Sequence, residues 1–490
     1  MSTITSSSST TGPALTSLGV GSGLDSESIV TKLVALERQP INNLQSQAST
    51  IQSKISAFGQ IQSSISSLRD AASKLTSPDL WSSTIATSAD ASSVSFSTSS
   101  GAAVGNYNVS VGAVAAAQSV LSNTVLSSSS ATLGSGTMTI ELGSWSGSTF
   151  TNKSGSSAVN ITVAATDTLS DIRDKINSSN AGVSATIVSD ASGARLVMSS
   201  SNTGVSNGFR VTVADNDGNN TDASGLSALS FTDPTSTTGP TKQTQAAANA
   251  AATVNGVDVT SESNTFSDVL TGITMTVSKQ TTSPVAVSVT QDNASITKAI
   301  TDFAAAYSSL DALLKNDTKY DDSSKAAGVL QGDSTATGLQ FQLRGILGSS
   351  STASSLYASL SSIGLETQSG GALTVNSTKL TAALGNLSEV KKLFAATDLT
   401  GGGADGFATK FQSFGDTVLG VDGSITTRTD GLNTQLKNNQ QRQSDLDARS
   451  QLYEQRLRAQ YSALDTTMAG LTSTGNYVTQ MINSMTTKQG

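Results

Sequence analysis

Residues 21–40, GSGLDSESIVTKLVALERQP, decide how the ends of this chain are organised. Asp25 is a residue type that caps helix N-termini, and Glu27 follows in the first turn, where a negative charge favours the helix dipole. Pro40 disfavours helix at the residue before it, Gln39. The stretch therefore predicts a short helix that ends near Gln39. Its apolar residues recur at helical spacing and form one stripe: Ile29, Val30, Leu33, Val34 and Leu36.

A heptad pattern follows this helix. We expect a second helix that begins on Pro40 as its first residue and ends before Pro78. Its two seam positions are apolar, as in a coiled coil. The predicted core residues of this seam are Ile51, Phe58, Ile61, Ile65, Leu68 and Leu75.

A second heptad lies near the C-terminus and has polar breaks at Asn439, Gln443 and Ser450. A helix over 430–473 would be about 65 Å long at 1.5 Å per residue, and it cannot bury its stripe alone. We therefore predict that it packs against the N-terminal heptad. Its predicted coiled-coil core residues are Leu432, Leu436, Leu446 and Tyr453.

The stripe over 24–36 lies beyond that paired seam. An apolar stripe in such a position favours contact with another subunit, and the C-terminal seam also continues past its paired part. The predicted subunit or filament contact residues are Leu24, Ile29, Val30, Leu33, Leu36, Leu457, Leu464, Met468 and Leu471.

The middle of the chain changes to a period of two, which is typical of half-buried strands, with one short helix at about 168–178. TLSDI at 168–172 and TFSDV at 265–269 each precede an alternating strand, which indicates either two related β modules or a chance similarity. Asn255-Gly256 predicts a two-residue hairpin turn.

These patterns predict an α+β fold in which both chain ends form a terminal helical and coiled-coil stalk, with β-rich modules inserted between them. The chain goes out along helices and returns along helices. The predicted domains are a terminal region of 1–45 with 430–490, a helical core of 46–79 with 291–429, a β-rich head module of 80–125 with 245–290, and a second inserted head module of 126–244.

Composition excludes several classes of function. The 490 residues include no cysteine and no histidine, so the commonest metal ligands and the commonest general base are missing. We therefore expect no enzyme, no metal and no cofactor. The net charge of −8 argues against nucleic acid as a partner. The first residues are not of the signal-peptide type, and no apolar run is long enough to predict a membrane span.

Several stretches resemble the flagellar filament cap family, the flagellar hook-associated protein 2 family. They are GVGSGLDSESIVTKLVALERQPINNL at 19–44, GVLQGDSTATGLQFQLRGIL at 328–347 and RLRAQYSALDTTMAGLTSTGNYVTQMI at 456–482. The stretch over 168–200 resembles a module shared by flagellins and cap proteins.

The resemblance implies a homo-oligomeric ring at the distal, extracellular tip of the bacterial flagellum, which helps flagellin to fold and polymerise and prevents its loss. It implies export by the flagellar type III route, a hook-associated junction protein as a partner, and an export chaperone that binds the C-terminal region. Some relatives bind host mucin or glycans. The alternatives are a glycan- or mucin-binding adhesin and a flagellin-like filament subunit.

Overall fold

A computed structural model describes residues 25–323, 325–398 and 404–486, with backbone only at 268 and 486. Among these residues there are ten α-helices: α1 (Ser26–Glu37), α2 (Gln39–Thr76), α3 (Pro78–Trp81), α4 (Leu169–Ser178), α5 (Asn293–Thr318), α6 (Ser334–Gly348), α7 (Ser377–Leu384), α8 (Leu387–Ala395), α9 (Phe407–Leu419) and α10 (Ser424–Thr486).

Twenty strands lie within the same described residues. They are β1 (Thr84–Ser88), β2 (Val94–Thr98), β3 (Gly105–Ala113), β4 (Ser119–Ser122), β5 (Gly136–Ser146), β6 (Thr149–Asn152), β7 (Val159–Val163), β8 (Val183–Asp190), β9 (Gly193–Ser200), β10 (Gly208–Asp215), β11 (Thr241–Gln245), β12 (Ala250–Val254), β13 (Val257–Ser261), β14 (Thr265–Leu270), β15 (Ile273–Val277), β16 (Val285–Gln291), β17 (Tyr320–Asp321), β18 (Ala326–Ala327), β19 (Leu365–Thr367) and β20 (Leu373–Val375).

The predicted α+β class is confirmed, with long helices from both chain ends and antiparallel sheets between them. The chain divides into two compact units: a helical unit of Met1–Thr76 with Ala299–Gly490, and a β unit of Ser77–Lys298. Most of the segments that we assigned to a terminal region and a helical core lie in the helical unit, but residues 77–79 and 291–298 of the predicted core lie in the β unit.

The β unit holds two modules, each with its own apolar core. In the first module, a five-stranded sheet of order β1-β16-β3-β12-β13 and a three-stranded sheet of order β14-β15-β2 enclose side chains such as Val109 and Met275. In the second module, β5 pairs with β10, β6 and β7, and a second sheet has the order β11-β4-β9-β8. Helix α4 adds Ile172 and Ile176 to the core of the second module.

Two of our expectations for the β unit are corrected. The predicted boundary at 125 assigns β4 to the first module, but β4 pairs with β9 and β11 and its Val120 lies in the second module's core. TLSDI begins α4, where Thr168 and Asp171 cap the helix reciprocally, whereas TFSDV lies in strand β14. The two similar stretches therefore do not start the same structure, and they give no support to a repeat.

The predicted hairpin at Asn255-Gly256 is confirmed. Asn255 (φ 49°) and Gly256 (φ 84°) join β12 to β13 in the left-handed conformation that a two-residue turn of type I′ requires. The Asn255 side chain also accepts a hydrogen bond from the Asn108 backbone N–H at 2.8 Å. This bond joins the turn to the neighbouring strand β3.

In the helical unit, α10 runs over 63 residues, or about 95 Å, and extends beyond the predicted 430–473 at both ends. Aromatic side chains from α5, α8 and α9 form the unit's core. Phe411 makes edge contacts with Phe303 and Tyr307, at ring-centroid distances of 5.2 and 5.9 Å. Burial raises the pKa of Tyr307 to about 12, and the negative charge of Asp311 adds to the shift.

An ion pair between the buried carboxylate of Asp333 and the partly exposed Arg428 joins α6 to the first turns of α10. The Asp333 carboxylate caps α6 by accepting hydrogen bonds from the backbone N–H groups of Thr335 and Ala336. Arg428 of α10 donates two more hydrogen bonds to it, at 3.0 and 2.7 Å. The side chain of Asp333 is 1% exposed, so these bonds replace nearly all of its contact with water.

We predict that Asp333→Ala lowers the free energy of unfolding by about 2–4 kcal/mol, because it removes a helix cap and leaves Arg428 without its partner. Urea denaturation followed by circular dichroism measures this loss. The control is Glu366→Ala, which breaks the exposed pair with Lys379 and should cost less than about 1 kcal/mol. Equal losses for the two variants would contradict the role of burial.

Candidate interaction surface of the terminal helices

Helices α1 and α10 pack against each other through a small apolar cluster. Asp25 caps α1 by accepting a hydrogen bond from the Ser28 backbone N–H at 3.1 Å. The cluster buries Val30, Val34 and Leu457, which are at most 8% exposed. Its partly buried flanking residues are Leu33, Tyr453 and Tyr461.

Ion pairs border this cluster and give the two helices an antiparallel direction. Arg458 pairs with Glu27 near the start of α1, with nitrogen–oxygen distances of 2.7 and 2.8 Å. Near the end of α1, Arg38 pairs with Asp447 at 2.8 Å. Arg449 pairs with Glu37 at 3.2 Å. These pairs are solvent-exposed and are therefore weakened by salt.

The Glu27–Arg458 pair also sets how this contact depends on pH. The hydrogen bonds that Arg458 donates lower the pKa of the Glu27 carboxyl below its ordinary value of 4.5. Glu27 therefore favours α1 docking at every pH above that value. The contribution disappears as pH falls and the carboxylate takes up a proton.

The structure divides the predicted contact residues into three groups. Val30 and Leu457 are buried against each other within one chain, and Ile29, Leu33 and Met468 are half-buried. Leu36, Leu464 and Leu471 are 61%, 46% and 62% exposed. Leu24 lies outside the described residues.

One member of the predicted α1 stripe is corrected. Leu36 is six residues from Val30, which at 100° per residue places it about 240° around the helix. It therefore lies away from the face that carries Val30 and Val34 and meets α10. The prediction of one stripe was wrong for Leu36, because the five apolar residues of this twelve-residue helix lie on more than one face.

The predicted seam between α2 and α10 is uneven. On α2, the predicted core residues from Phe58 onward are buried, while Ile51 is half-buried. The buried ones are Phe58, Ile61, Ile65, Leu68 and Leu75. On α10, Leu432 is buried, and the remaining predicted core residues are half-buried. Those remaining residues are Leu436, Leu446 and Tyr453.

Helix α9 was not predicted from the sequence, and it packs on α2 together with α8 and α10. The buried half of α2 is therefore part of a multi-helix core and not of a two-stranded coiled coil. A signal was present, because apolar residues recur on one face of the α9 sequence at spacings of four, three and four. They are Phe407, Phe411, Phe414 and Val418.

Polar residues are buried in the α10 seam. Asn439 and Ser450 are 7% and 1% exposed, and Gln443 donates a hydrogen bond to the side-chain oxygen of Asn439 at 2.5 Å. The Ser450 hydroxyl has no hydrogen-bond partner among the described residues. Because burying an unpaired polar group costs free energy, Ser450 weakens the seam in which it lies.

The described residues give no sign of a metal centre or a membrane span. Within 25–323, 325–398 and 404–486, no three acidic side chains are grouped so that they could hold a metal ion. In the acidic loop that follows β10, the Asp215 carboxylate accepts a hydrogen bond from the Ser227 backbone N–H at 2.9 Å. No helix in these ranges is long and apolar enough to cross a membrane.

We predict that Leu457→Ala speeds hydrogen exchange of the α1 backbone amides at least tenfold. Loss of a buried leucine costs about 2 kcal/mol or more, and α1 has few other buried contacts. Leu452→Ala on the same helix is the control, because Leu452 is 62% exposed. Unchanged exchange in the Leu457 variant would mean that this cluster does not hold α1.

We predict that the contact between α1 and α10 weakens in acid. As pH falls from 6 to 3, hydrogen exchange of the α1 backbone amides should become faster than the intrinsic pH dependence of amide exchange allows, since the Glu27 carboxylate loses its charge. In Glu27→Gln this extra acceleration should be smaller, and at pH 6 the variant should already exchange faster than the native chain. Identical pH profiles for the two proteins would exclude a contribution of the Glu27–Arg458 pair.

Comparison with protein families gives matches along most of the chain. The model for the flagellar hook-associated protein 2 C-terminus matches residues 247–473, and the model for its N-terminus matches residues 22–118. The flagellin hook IN motif matches residues 149–202, within the second β module.

Full-length relatives and a solved structure give the same result. The chain is 32% identical to flagellar hook-associated protein 2 of Escherichia coli K12, over 96% of this chain and 98% of that protein. It is 32% identical to the protein of the same name from Salmonella typhimurium, over 96% of this chain and 99% of that protein. The crystal structure of the D1-D2-D3 domains of the Escherichia coli flagellar cap protein FliD superposes with a TM-score of 0.61 at 31% identity, covering 77% of this chain and 99% of that structure.

Proposed function

The chain belongs to the flagellar hook-associated protein 2 family and is a flagellar cap protein, and from this membership we propose that copies of it form a homo-oligomeric cap at the distal tip of the filament. In this proposal the cap promotes folding and polymerisation of flagellin and prevents its loss. The role is structural and involves no catalysis. The observation that carries the proposal is the match to relatives over nearly the whole length of both chains.

The proposal assigns docking to the part of α10 that α1 does not cover. Past Tyr461, where the cluster with α1 ends, Leu464, Met468 and Leu471 continue the spacing of three and four residues. Two of these side chains are about half exposed or more. Such a row fits a helix of another subunit, of flagellin or of the hook-associated junction protein.

The same surface supports an interaction during export. We propose that the chain leaves the cell by the flagellar type III route and that an export chaperone covers the C-terminal part of α10 before then. Exposed apolar side chains on a helix are an aggregation hazard, and a chaperone that binds them removes it. Binding of host mucin or glycans stays a prediction for the β modules.

The alternatives explain less of the chain. A glycan-binding adhesin would need only the β unit, whereas the family matches include both terminal helical regions. A flagellin-like subunit would polymerise without limit, whereas a cap closes into a small assembly. The mass of the purified assembly in solution distinguishes these two cases.

We predict that Leu464→Asp prevents capping, so that cells make short filaments or none and unpolymerised flagellin accumulates in the medium. A charge at this position should disrupt an apolar helix contact without affecting the fold, because the side chain is 46% exposed. Filament length by electron microscopy and flagellin in the culture supernatant are the measurements.

Leu452→Asp is the matched control, since Leu452 is equally a leucine of α10 and is 62% exposed on another face. It should support normal filaments. Secretion of each variant is measured in parallel, so that a failure of export is separated from a failure at the tip. Normal filaments on a secreted Leu464→Asp variant would contradict the role of this row.

A further inference from the structure

The two β modules are joined at a narrow junction. Two chain segments connect them, 114–118 between β3 and β4 and 246–249 between β11 and β12. Ala116 and Ala248 pair across these segments through two backbone hydrogen bonds of 2.9 and 3.0 Å. Among the described residues, the apolar cores of the two modules have no member in common. Modules that are joined mainly by polar contacts are expected to move relative to each other unless something fixes them.

A short loop of the second module, which we call the junction loop (residues 203–207, between β9 and β10), reaches across to the first module. Gly204 of this loop has φ 104°, and a Cβ atom added there would lie only 2.7 Å from the Cβ atom of Glu262. The next residue, Val205, donates its backbone N–H to the side-chain oxygen of Asn249 at 2.7 Å. The absence of a side chain at Gly204 thus allows the loop to lie directly against Glu262.

Glu262, which lies between β13 and β14 of the first module, receives most of the side-chain hydrogen bonds from the junction loop. Its carboxylate accepts a hydrogen bond from the Ser206 hydroxyl and a longer one, of 3.5 Å, from the Asn207 side-chain amide. Its backbone carbonyl accepts a hydrogen bond from the Thr203 hydroxyl at 2.8 Å. The Glu262 side chain is exposed, so water can replace the bonds of its carboxylate at little cost.

An open cavity of about 240 Å³ lies beside the same junction. The connecting segment lines it through Ala246 and Ala247, and the junction loop contributes Val205. Trp145 and Pro234 of the second module line it as well. A close-packed junction would resist displacement, whereas this cavity leaves room for the second module to tilt toward the connecting segment.

We propose that Glu262 is a latch that fixes the orientation of the second β module. While its carboxylate holds the junction loop, the two modules turn as one body. When water replaces those bonds, the second module tilts about the paired segments at Ala116 and Ala248 and closes the cavity. Each module keeps its own core in this hinge motion, and only the two connecting segments bend. The proposal does not rest on the proposed function.

The first test measures the distance between the modules in the full-length protein. Because the chain has no native cysteine, spin labels can be placed at Thr166→Cys in the second module and Ser283→Cys in the first, both of which are exposed. Double electron–electron resonance should give one narrow distance distribution for the protein with native Glu262. Glu262→Ala should add a second distance and raise its population at least about fivefold, because hydrogen bonds to a charged group are lost.

Asp258→Ala is the matched control for this measurement. Asp258 is an exposed acidic residue of the same module, and its carboxylate accepts a hydrogen bond from Thr253, within that module. Its loss should leave the distance distribution unchanged. Thermal unfolding of each variant shows whether the modules themselves stay folded.

The second test removes the latch from its other side. Ser206→Ala should also populate the second distance, and the Ser206→Ala/Glu262→Ala double variant should populate it no more than Glu262→Ala does, since the hydroxyl acts through the carboxylate. Ala247→Leu places a larger side chain at the cavity. Combined with Glu262→Ala, it should suppress the second distance.

Three results would overturn the proposal. The first is a distance distribution that is the same with and without the Glu262 carboxylate in folded protein. The second is equal broadening in Asp258→Ala, or additive effects of Ser206→Ala and Glu262→Ala, because neither fits a latch made by this one pair of residues. The third is a second distance that persists when Ala247→Leu is present, which would show that the movement does not close this cavity.

Discussion

Helix α10 cannot bury its own apolar side chains, and the rest of the helical unit is arranged around that constraint. Near its start, Leu432 is buried in the part of the unit that α2 and α9 also form. Further along, Leu457 is buried in the cluster with Val30 and Val34 of α1. Beyond Tyr461, no other described helix covers α10, and its Leu464 and Leu471 side chains are exposed. The number of partners therefore falls along the helix, and with it the free energy that holds each segment in place.

The ion pairs follow the same gradient. At the base, the Asp333 carboxylate is buried and receives four hydrogen bonds, two from α6 and two from Arg428. Such a pair is expensive to break because the Asp333 charge would remain in a medium of low polarity, whereas Arg428 is partly exposed. The pairs between α1 and α10 are exposed, and water and salt replace them at little cost. The start of α10 is therefore held firmly, and its contact with α1 is held weakly. Such an arrangement lets α1 separate from α10 while the core of the helical unit keeps its structure.

The sequence predicted burial best where periodicity was strong and the surroundings simple. Every predicted α2 core residue from Phe58 to Leu75 is buried, because a heptad pattern states which face of a helix is apolar. The pattern does not state what covers that face, and α9 shares the role that we gave to α10 alone.

Short motifs were less reliable, for a physical reason. A Thr-apolar-Ser-Asp stretch starts a helix only where no stronger hydrogen-bonding partner competes for its backbone. Asp171 reaches back to the Thr168 backbone N–H and begins α4. Thr265 instead pairs with Thr276 of strand β15, and tertiary contacts override the local preference. Domain boundaries failed in the same way, since β4 is assigned to its module by sheet partners distant in sequence.

Charge gives the two halves of the α10 surface different properties. Between Glu27 and Asp447, ionic partners set the register of α1 on α10, and that contact responds to pH and salt. Residues 466–487 contain no charged residue. A partner of this last segment, as proposed above, would be recognised by apolar side chains and shape, and salt should strengthen that contact slightly while it weakens the contact of α1. Salt therefore acts in opposite directions on contacts at the two parts of one helix.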